Sequence, residues 1–177
     1  LQTQRGMQEQ ATEWLQSRFE ALCMGNLYAT TLHIISSAIV KLSKLTETCK
    51  VWRGVSGGRL PHGFRHANDY GVKGGIESAF MSTTTDRKVA MSYAASGGTA
   101  GFVFEIQQGM IDRGADIGWL SQYPFEHEIL FAPLTGLEVK SSRVTGQLLM
   151  VEVRLSVNLT NKPIEEVVAK MQSSALG

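Results

Sequence analysis

Pro124-Phe125-Glu126-His127-Glu128-Ile129-Leu130-Phe131 sets two carboxylates two residues apart at the head of an apolar run. The run predicts a strand over 126–132, closed by Pro133. On a strand, residues i and i+2 share a face. Glu126 and Glu128 would then stand side by side, about 6.6 Å apart along the chain. Two acids backed by Ile129, Leu130 and Phe131 are costly to bury and suit a site that handles positive charge. A solvated strand face is the plain alternative.

Composition bounds what such a site can belong to. The chain has 177 residues, 43% hydrophobic and 19% charged, with a net charge of +1. One domain over 1–177 is expected, with a core able to fold alone. Near-neutral charge gives no reason to expect a nucleic acid as partner. Arg59, Arg65 and His66 are the one local basic cluster, in a Gly-rich stretch that reads as solvated loop. No run of about 18 apolar residues exists, so no membrane-crossing helix is expected. Cys23 and Cys49 are too few for a disulfide scaffold, although one bridge between them is open. Low cysteine content leans towards an intracellular working site. The chain begins without Met, which suggests a fragment or a processed form.

Outward from the acids, the pattern changes twice. Trp14, Leu15, Phe19 and Leu22 recur at helical spacing within 7–24, and Gly25-Asn26 is a stop signal. Leu32, Ile35, Ile39 and Leu42 mark a second helix over 27–45. From Val51 glycine and β-branched residues rise. Val51 to Gly54 reads as a strand and 55–75 as a long loop. Residues 78–85 read as a strand. A helix follows, capped by Thr85 or Asp86, with Val89, Ala90, Tyr93 and Ala94 on its apolar face and Gly97-Gly98 at its end. Strands are expected over 101–107, 137–141 and 147–159, with Phe102, Phe104 and Ile106 on one face and Leu149, Val151, Val153, Leu155 and Val157 on another. A last helix starts at Pro163 and carries Ile164, Val167, Val168 and Met171. Connections too short for helical crossovers predict an α+β fold, with N-terminal helices on a mixed, largely antiparallel sheet.

Several chemistries find no motif. No G-x-G-x-x-G follows a strand, and no phosphate loop, zincin helix or nucleophile elbow is present. The four histidines have no metal-ligand spacing, so no metal is expected.

Three segments remain that carry chemistry. Trp52-Arg53-Gly54 puts a cation at a strand end. Phe80-Met81-Ser82-Thr83-Thr84-Thr85 puts hydroxyls on a second strand. Glu126-His127-Glu128 supplies the acids on a third. Each alone reads equally as an exposed strand. Together, in this order, the chain resembles the arginine-specific mono-ADP-ribosyltransferases of the cholera-toxin-like class. That class carries an aromatic-Arg, then an aromatic-x-Ser-Thr-Ser/Thr, then a Glu-x-Glu. The resemblance covers about Val51 to Leu159. Here Thr84 stands at the third hydroxyl position and His127 between the acids.

The resemblance implies a split β-sheet core over 51–160, a helical region over 1–50 and a C-terminal helix over 161–177. It implies NAD as co-substrate, no metal, and a protein target that presents an arginine to a monomeric enzyme. It implies catalytic roles for Glu128, which steadies the positive charge of the ribose, for Glu126, which holds and deprotonates the guanidinium, and for Ser82, which orients Glu128. Arg53 would bind the pyrophosphate, and Gly54 would let the backbone approach the nicotinamide amide. Thr83 and Thr84 would support the nicotinamide pocket. Phe80 would either pack or line it. The segment 116–125 would meet the target, with Tyr123 able to stack on the target arginine, while Trp119 and Phe125 also read as core. Tyr93 and Arg87 receive no role. An NAD glycohydrolase and a catalytically silent binding module are the alternatives. A secreted toxin or effector is compatible with the same resemblance.

Overall fold

A computed structural model of the chain describes residues 2–96 and 101–156, with side chains from residue 13 onward. The chain divides into two compact units, Leu1–Ile34 and Ile35–Gly177. In the first, helix α1 spans Gln2–Cys23, where the Arg18 guanidinium lies 5.6 Å from the Trp14 ring. Helix α2 (Ala29–Leu42) passes from the first unit into the second and ends in a 3-10 turn, Ser43–Leu45.

The second unit is built on strands β1 (Lys50–Val55), β2 (Gly74–Glu77), β3 (Met81–Thr84), β4 (Phe102–Gln107), β5 (Ala115–Asp116), β6 (Glu128–Phe131), β7 (Thr135–Thr145) and β8 (Leu148–Ser156). Two helices interrupt them, α3 (His62–Arg65) and α4 (Arg87–Ala95). The strands form one mixed sheet in the order β2-β7-β8-β4-β1-β3-β6-β5. Among the described strands only the β4–β8 pair is parallel. A β7–β8 hairpin turns through Gly146-Gln147, where Gly146 takes φ +61°. A two-residue hairpin loop favours a residue that accepts that region.

The ladder is uneven. β1 and β4 share six residue pairs, whereas β1 and β3 share one, Trp52 with Thr84. The sheet is therefore split into a five-strand part, β2-β7-β8-β4-β1, and a three-strand part, β3-β6-β5.

Alternation along β4 explains the core. Phe102, Phe104 and Ile106 join Val51, Val151 and Val153 in one buried cluster, with Phe64 of α3 packed against it. Val103, on the opposite face, joins Met150, Leu148, Ala90 and Ala94. β4 thus has apolar cover on both sides, and each fully buried side chain contributes about 1.5–3 kcal/mol.

Helix α4 closes the second face. The Asp86 carboxylate accepts from the Lys88 amide at 2.7 Å and caps its start. Its small residues Ala90 and Ala94 let it lie directly on β1. A Cβ at Gly54 would stand 1.9 Å from the Ala90 carbonyl oxygen, and one at Gly101 would stand 2.1 Å from that of Ala94. Glycine at 54 is thus a condition for seating α4.

Several expectations change. The stretch 55–75 is not one loop; it holds α3 and the first two residues of β2. Two glycines and four residues made β2 invisible to alternation. The strand expected over 126–132 begins only at Glu128, because Pro124–Glu126 forms a 3-10 turn and His127 takes φ +46°. Proline suits the first position of such a turn, and histidine tolerates the left-handed region better than most residues. Both cysteines are free thiols. Gly97-Gly98, Val157, Leu159 and the helix expected from Pro163 lie outside the described residues. Among the described residues, no helix is long and apolar enough to cross a membrane.

Candidate functional site

A cavity of about 290 Å³ opens beside the β1–β3 split. β1 contributes Trp52, Arg53 and Gly54 to its wall. β3 contributes Ser82, Thr83 and Thr84, α4 contributes Val89, Ala90 and Tyr93, and the turn before β6 contributes Glu126. Seven residues of the three sequence motifs therefore meet at one hollow. A larger hollow of about 920 Å³, bordered by Arg59, Arg65 and Lys73, contains none of them.

Arg53 bridges the split. Its Nη1 donates to the Ser82 carbonyl at 2.9 Å, and its Nη2 lies 3.5 Å from the Glu77 carboxylate on β2. Glu77 also accepts from the Ala79 amide at 3.3 Å, which anchors the turn into β3. The guanidinium thus has a fixed direction, and it remains partly exposed.

The three hydroxyls of β3 differ in placement. Ser82 is exposed, whereas Thr83 and Thr84 are buried. Thr83 Oγ1 donates to the Ile129 carbonyl at 2.7 Å and ties β3 to β6. Thr84 Oγ1 donates to the Glu126 carbonyl and accepts from the Asp86 amide at 3.0 Å. One hydroxyl therefore pins the backbone of the acid turn to the cap of α4.

The acids stand in different settings, contrary to the shared strand face expected of them. The left-handed residue His127 separates them, so the i, i+2 rule does not apply across it. Glu126 is half-buried on its turn, and its Oε1 accepts from the Tyr93 hydroxyl at 2.7 Å. Glu128, the first residue of β6, pairs in register with Thr84. Its Oε2 accepts from Ser121 Oγ at 3.4 Å. It is one strand from the cavity and not part of its wall. Across the sheet, Trp52, Thr84 and Glu128 form one row.

Phe80 is not in the wall either. It packs against the cluster of Ile39, Ala115 and Ala132, so the packing alternative holds for it. Trp119 and Phe125, open to a core reading, are 71% and 67% exposed, and Tyr123 is 50% exposed. The segment before the acids therefore presents aromatic surface to solvent.

Sequence reasoning passed over three residues here. Tyr93 was on the expected apolar face of α4, yet its hydroxyl reaches Glu126. That hydrogen bond and then the Glu126 charge, with Tyr123 and Glu128 further off, hold its phenol above the ordinary tyrosine range. Ser121 had no motif around it. Glu77 lay between the loop read over 55–75 and the strand read over 78–85. A tyrosine flanking the alanine stripe of α4 was the one signal available for Tyr93. The indole Nε1 of Trp52 is buried with no hydrogen-bond partner among the described residues, at the wall of the same cavity.

A family model described as NAD:arginine ADP-ribosyltransferase matches residues 8–158. No curated protein matches the chain. Among solved structures, the ADP-ribosyltransferase HopU1 of Pseudomonas syringae pv. Tomato DC3000 is 24% identical, with a TM-score of 0.55 over 71% of this chain and 52% of that one. The ADP-ribosyltransferase Vis, solved in complex with agmatine, is 23% identical, with a TM-score of 0.52 over 74% of this chain and 59% of that one. Vis is a toxin from Vibrio splendidus. At these identities the likeness is one of fold, and the chain spans little more than half the length of either protein.

Proposed function

The chain belongs to the NAD:arginine ADP-ribosyltransferase family, and on that premise we propose that it moves ADP-ribose from NAD to an arginine side chain of a protein target, releasing nicotinamide. The observation that carries the reading is the meeting of Arg53, Ser82 and Glu126 at one cavity across a split sheet, with Glu128 one strand away. On this reading the strands and helices between residues 50 and 156 carry the catalytic core.

NAD enters as a substrate. Arg53 receives the pyrophosphate, for which a fixed, forked cation is well suited. As the bond between the ribose C1′ and the nicotinamide nitrogen breaks, its electron pair leaves with nicotinamide. Positive charge then grows on the ribose, and the Glu128 carboxylate stabilises it in a site where water is thinned. Ser82, two residue pairs along β3–β6 from Thr84–Glu128 and on the same face, orients that end of the substrate.

The acceptor guanidinium is held by the Glu126 carboxylate. It gives one proton to that carboxylate, and the freed nitrogen lone pair forms the new bond to C1′. Thr83 and Thr84 keep β3, β6 and the acid turn in place. Tyr123 and its exposed neighbours meet the target, with Tyr123 stacking on the arginine. Agmatine, an arginine-like amine held by Vis in its crystal structure, is a fitting acceptor for the test.

Incubation with labelled NAD and agmatine tests the reading. The expected products are nicotinamide and ADP-ribosyl-agmatine, with free ADP-ribose as the minor product. Nicotinamide without the adduct would make the protein an NAD glycohydrolase. No nicotinamide from folded protein would leave a silent binding module.

A further inference from the structure

We propose that Tyr93 is the positioning residue for Glu126, and that its hydroxyl sets how ADP-ribose is divided between a guanidinium and water. The inference rests on the transferase reading above and adds a residue to it.

Glu126 stands on a short turn between an exposed aromatic segment and β6. A carboxylate there has several rotamers open to it, and nothing in the turn itself selects one. The selection comes from two other elements. Thr84 of β3 holds the Glu126 main-chain carbonyl, and Tyr93 of α4 holds Oε1 at 2.7 Å. Oε2 has no donor among the described residues, so one oxygen is fixed and the other is free to receive an acceptor.

The clamp is rigid at its base. Ala90 and Ala94, one turn before Tyr93 and one residue after it, are fully buried against β1, and Gly54 lets the helix backbone sit there. Tyrosine has two side-chain torsions and loses little freedom when held. The ring is half exposed, so packing alone does not call for the hydroxyl. A phenylalanine would keep the ring contacts and leave the carboxylate loose. The raised phenol pKa is the electrostatic trace of the same contact. The ionisable groups acting on the phenol, Glu126, Tyr123 and Glu128, all come from the segment that ends at β6.

A free guanidinium must find Glu126 in one orientation to lose its proton toward it and attack C1′. Water needs no such holder. Loosening Glu126 therefore costs transfer more than hydrolysis.

The test is Tyr93→Phe, read in two ways. With NAD and agmatine, the ratio of ADP-ribosyl-agmatine to free ADP-ribose should fall about tenfold, the worth of one hydrogen bond to a charged group. The KM for NAD should stay within twofold. A ratio unchanged in Tyr93→Phe, or a loss carried wholly by the NAD KM, overturns the proposal. The second reading is independent of turnover. Tyr93 carbon NMR should show its phenol titrating above the ordinary tyrosine range in the wild type and returning towards it in Glu126→Gln. Equal titration in both overturns the clamp. A folded wild type that forms no adduct overturns the transferase reading and the division of products with it, whereas an ordinary Tyr93 titration in an active enzyme overturns the clamp alone.

Discussion

Arg53 donates to the Ser82 main-chain carbonyl at 2.9 Å, and this bond crosses the split where β1 and β3 share a single residue pair. The guanidinium thereby faces the cavity with its direction fixed from the opposite strand. Arg53→Ala is expected to raise the KM for NAD roughly tenfold to a hundredfold, as loss of charge-assisted hydrogen bonds to phosphate predicts. Arg53→Lys should recover part of that, since the charge stays and the fork is lost. Initial rates over a range of NAD concentrations measure this. An unchanged KM in Arg53→Ala would remove the residue from the binding site.

Glu77 competes for the same cation. Its carboxylate lies 3.5 Å from Arg53 Nη2, both side chains being about one quarter exposed. An incoming pyrophosphate must share or replace that partner. Glu77→Gln removes the charge and keeps an acceptor for the Ala79 amide. NAD should then bind a few fold more tightly, within the range of partly exposed ion pairs. Titration calorimetry gives the affinity, and weaker binding would mean that Glu77 serves to hold Arg53 in position.

On the proposed reading the two acids have separable tasks. Glu128→Gln should remove both nicotinamide release and transfer. Glu126→Gln should lose transfer to agmatine and keep a substantial part of NAD hydrolysis. Product analysis of each variant decides, and equal loss of both activities in Glu126→Gln would contradict the division.

Gly54→Ala tests the seat of α4. The added Cβ meets the Ala90 carbonyl oxygen at 1.9 Å, so the helix must move away from β1. A loss of about 1–3 kcal/mol in unfolding free energy is expected from such overpacking. Catalysis should fall with it, because Ala90 and Tyr93 line the cavity. Denaturant unfolding that matched the wild type would show that α4 shifts freely.

Glu105 of β4 ties the five-strand part of the sheet together. It pairs with Lys50 of β1 at 2.8 Å and with Arg143 of β7. The Lys50 hydrogen bond foremost, with Arg143 beside it, holds its carboxyl below the usual range against the opposing effect of burial. A lowered folded-state pKa stabilises the fold above the unfolded value and is lost as pH falls through the folded one. Wild type should therefore lose stability as pH drops below about 4.5. Glu105→Gln should be less stable at pH 7, and the gap should narrow at pH 3. A gap that is constant across that range would place the stabilisation elsewhere.

Legibility differed by the range of the interaction involved. Alternation along 102–107 and 147–156 reports side-chain burial directly, so β4 and β8 could be read. Asp86 before an apolar helical face marked the start of α4. The order of Arg53, Ser82 and the acids could be read because each motif sits on its own short segment, and Arg53, Ser82 and Glu126 meet at one cavity while Glu128 stands outside its wall. Other features depended on contacts between distant residues. β2 contains Gly74 and Gly75, which carry no pattern, and it exists because β7 pairs with it. The break at His127 depends on the Thr84 hydroxyl and the Thr85 amide, which donate to the Glu126 and His127 carbonyls. Tyr93 looked like a core residue because helical spacing says which face a residue is on and not what its polar tip reaches.

The single Trp52–Thr84 rung has a mechanical meaning. A ladder of many rungs resists splaying of its strands, and one rung resists very little. The plate that carries Arg53 and the plate that carries the acids are also joined by the guanidinium that spans them and by α4, which packs on both β1 and β3. On the proposed reading, a substrate that takes hold of that guanidinium loosens one of the ties across the split, so occupancy of the cleft bears on the gap between the plates.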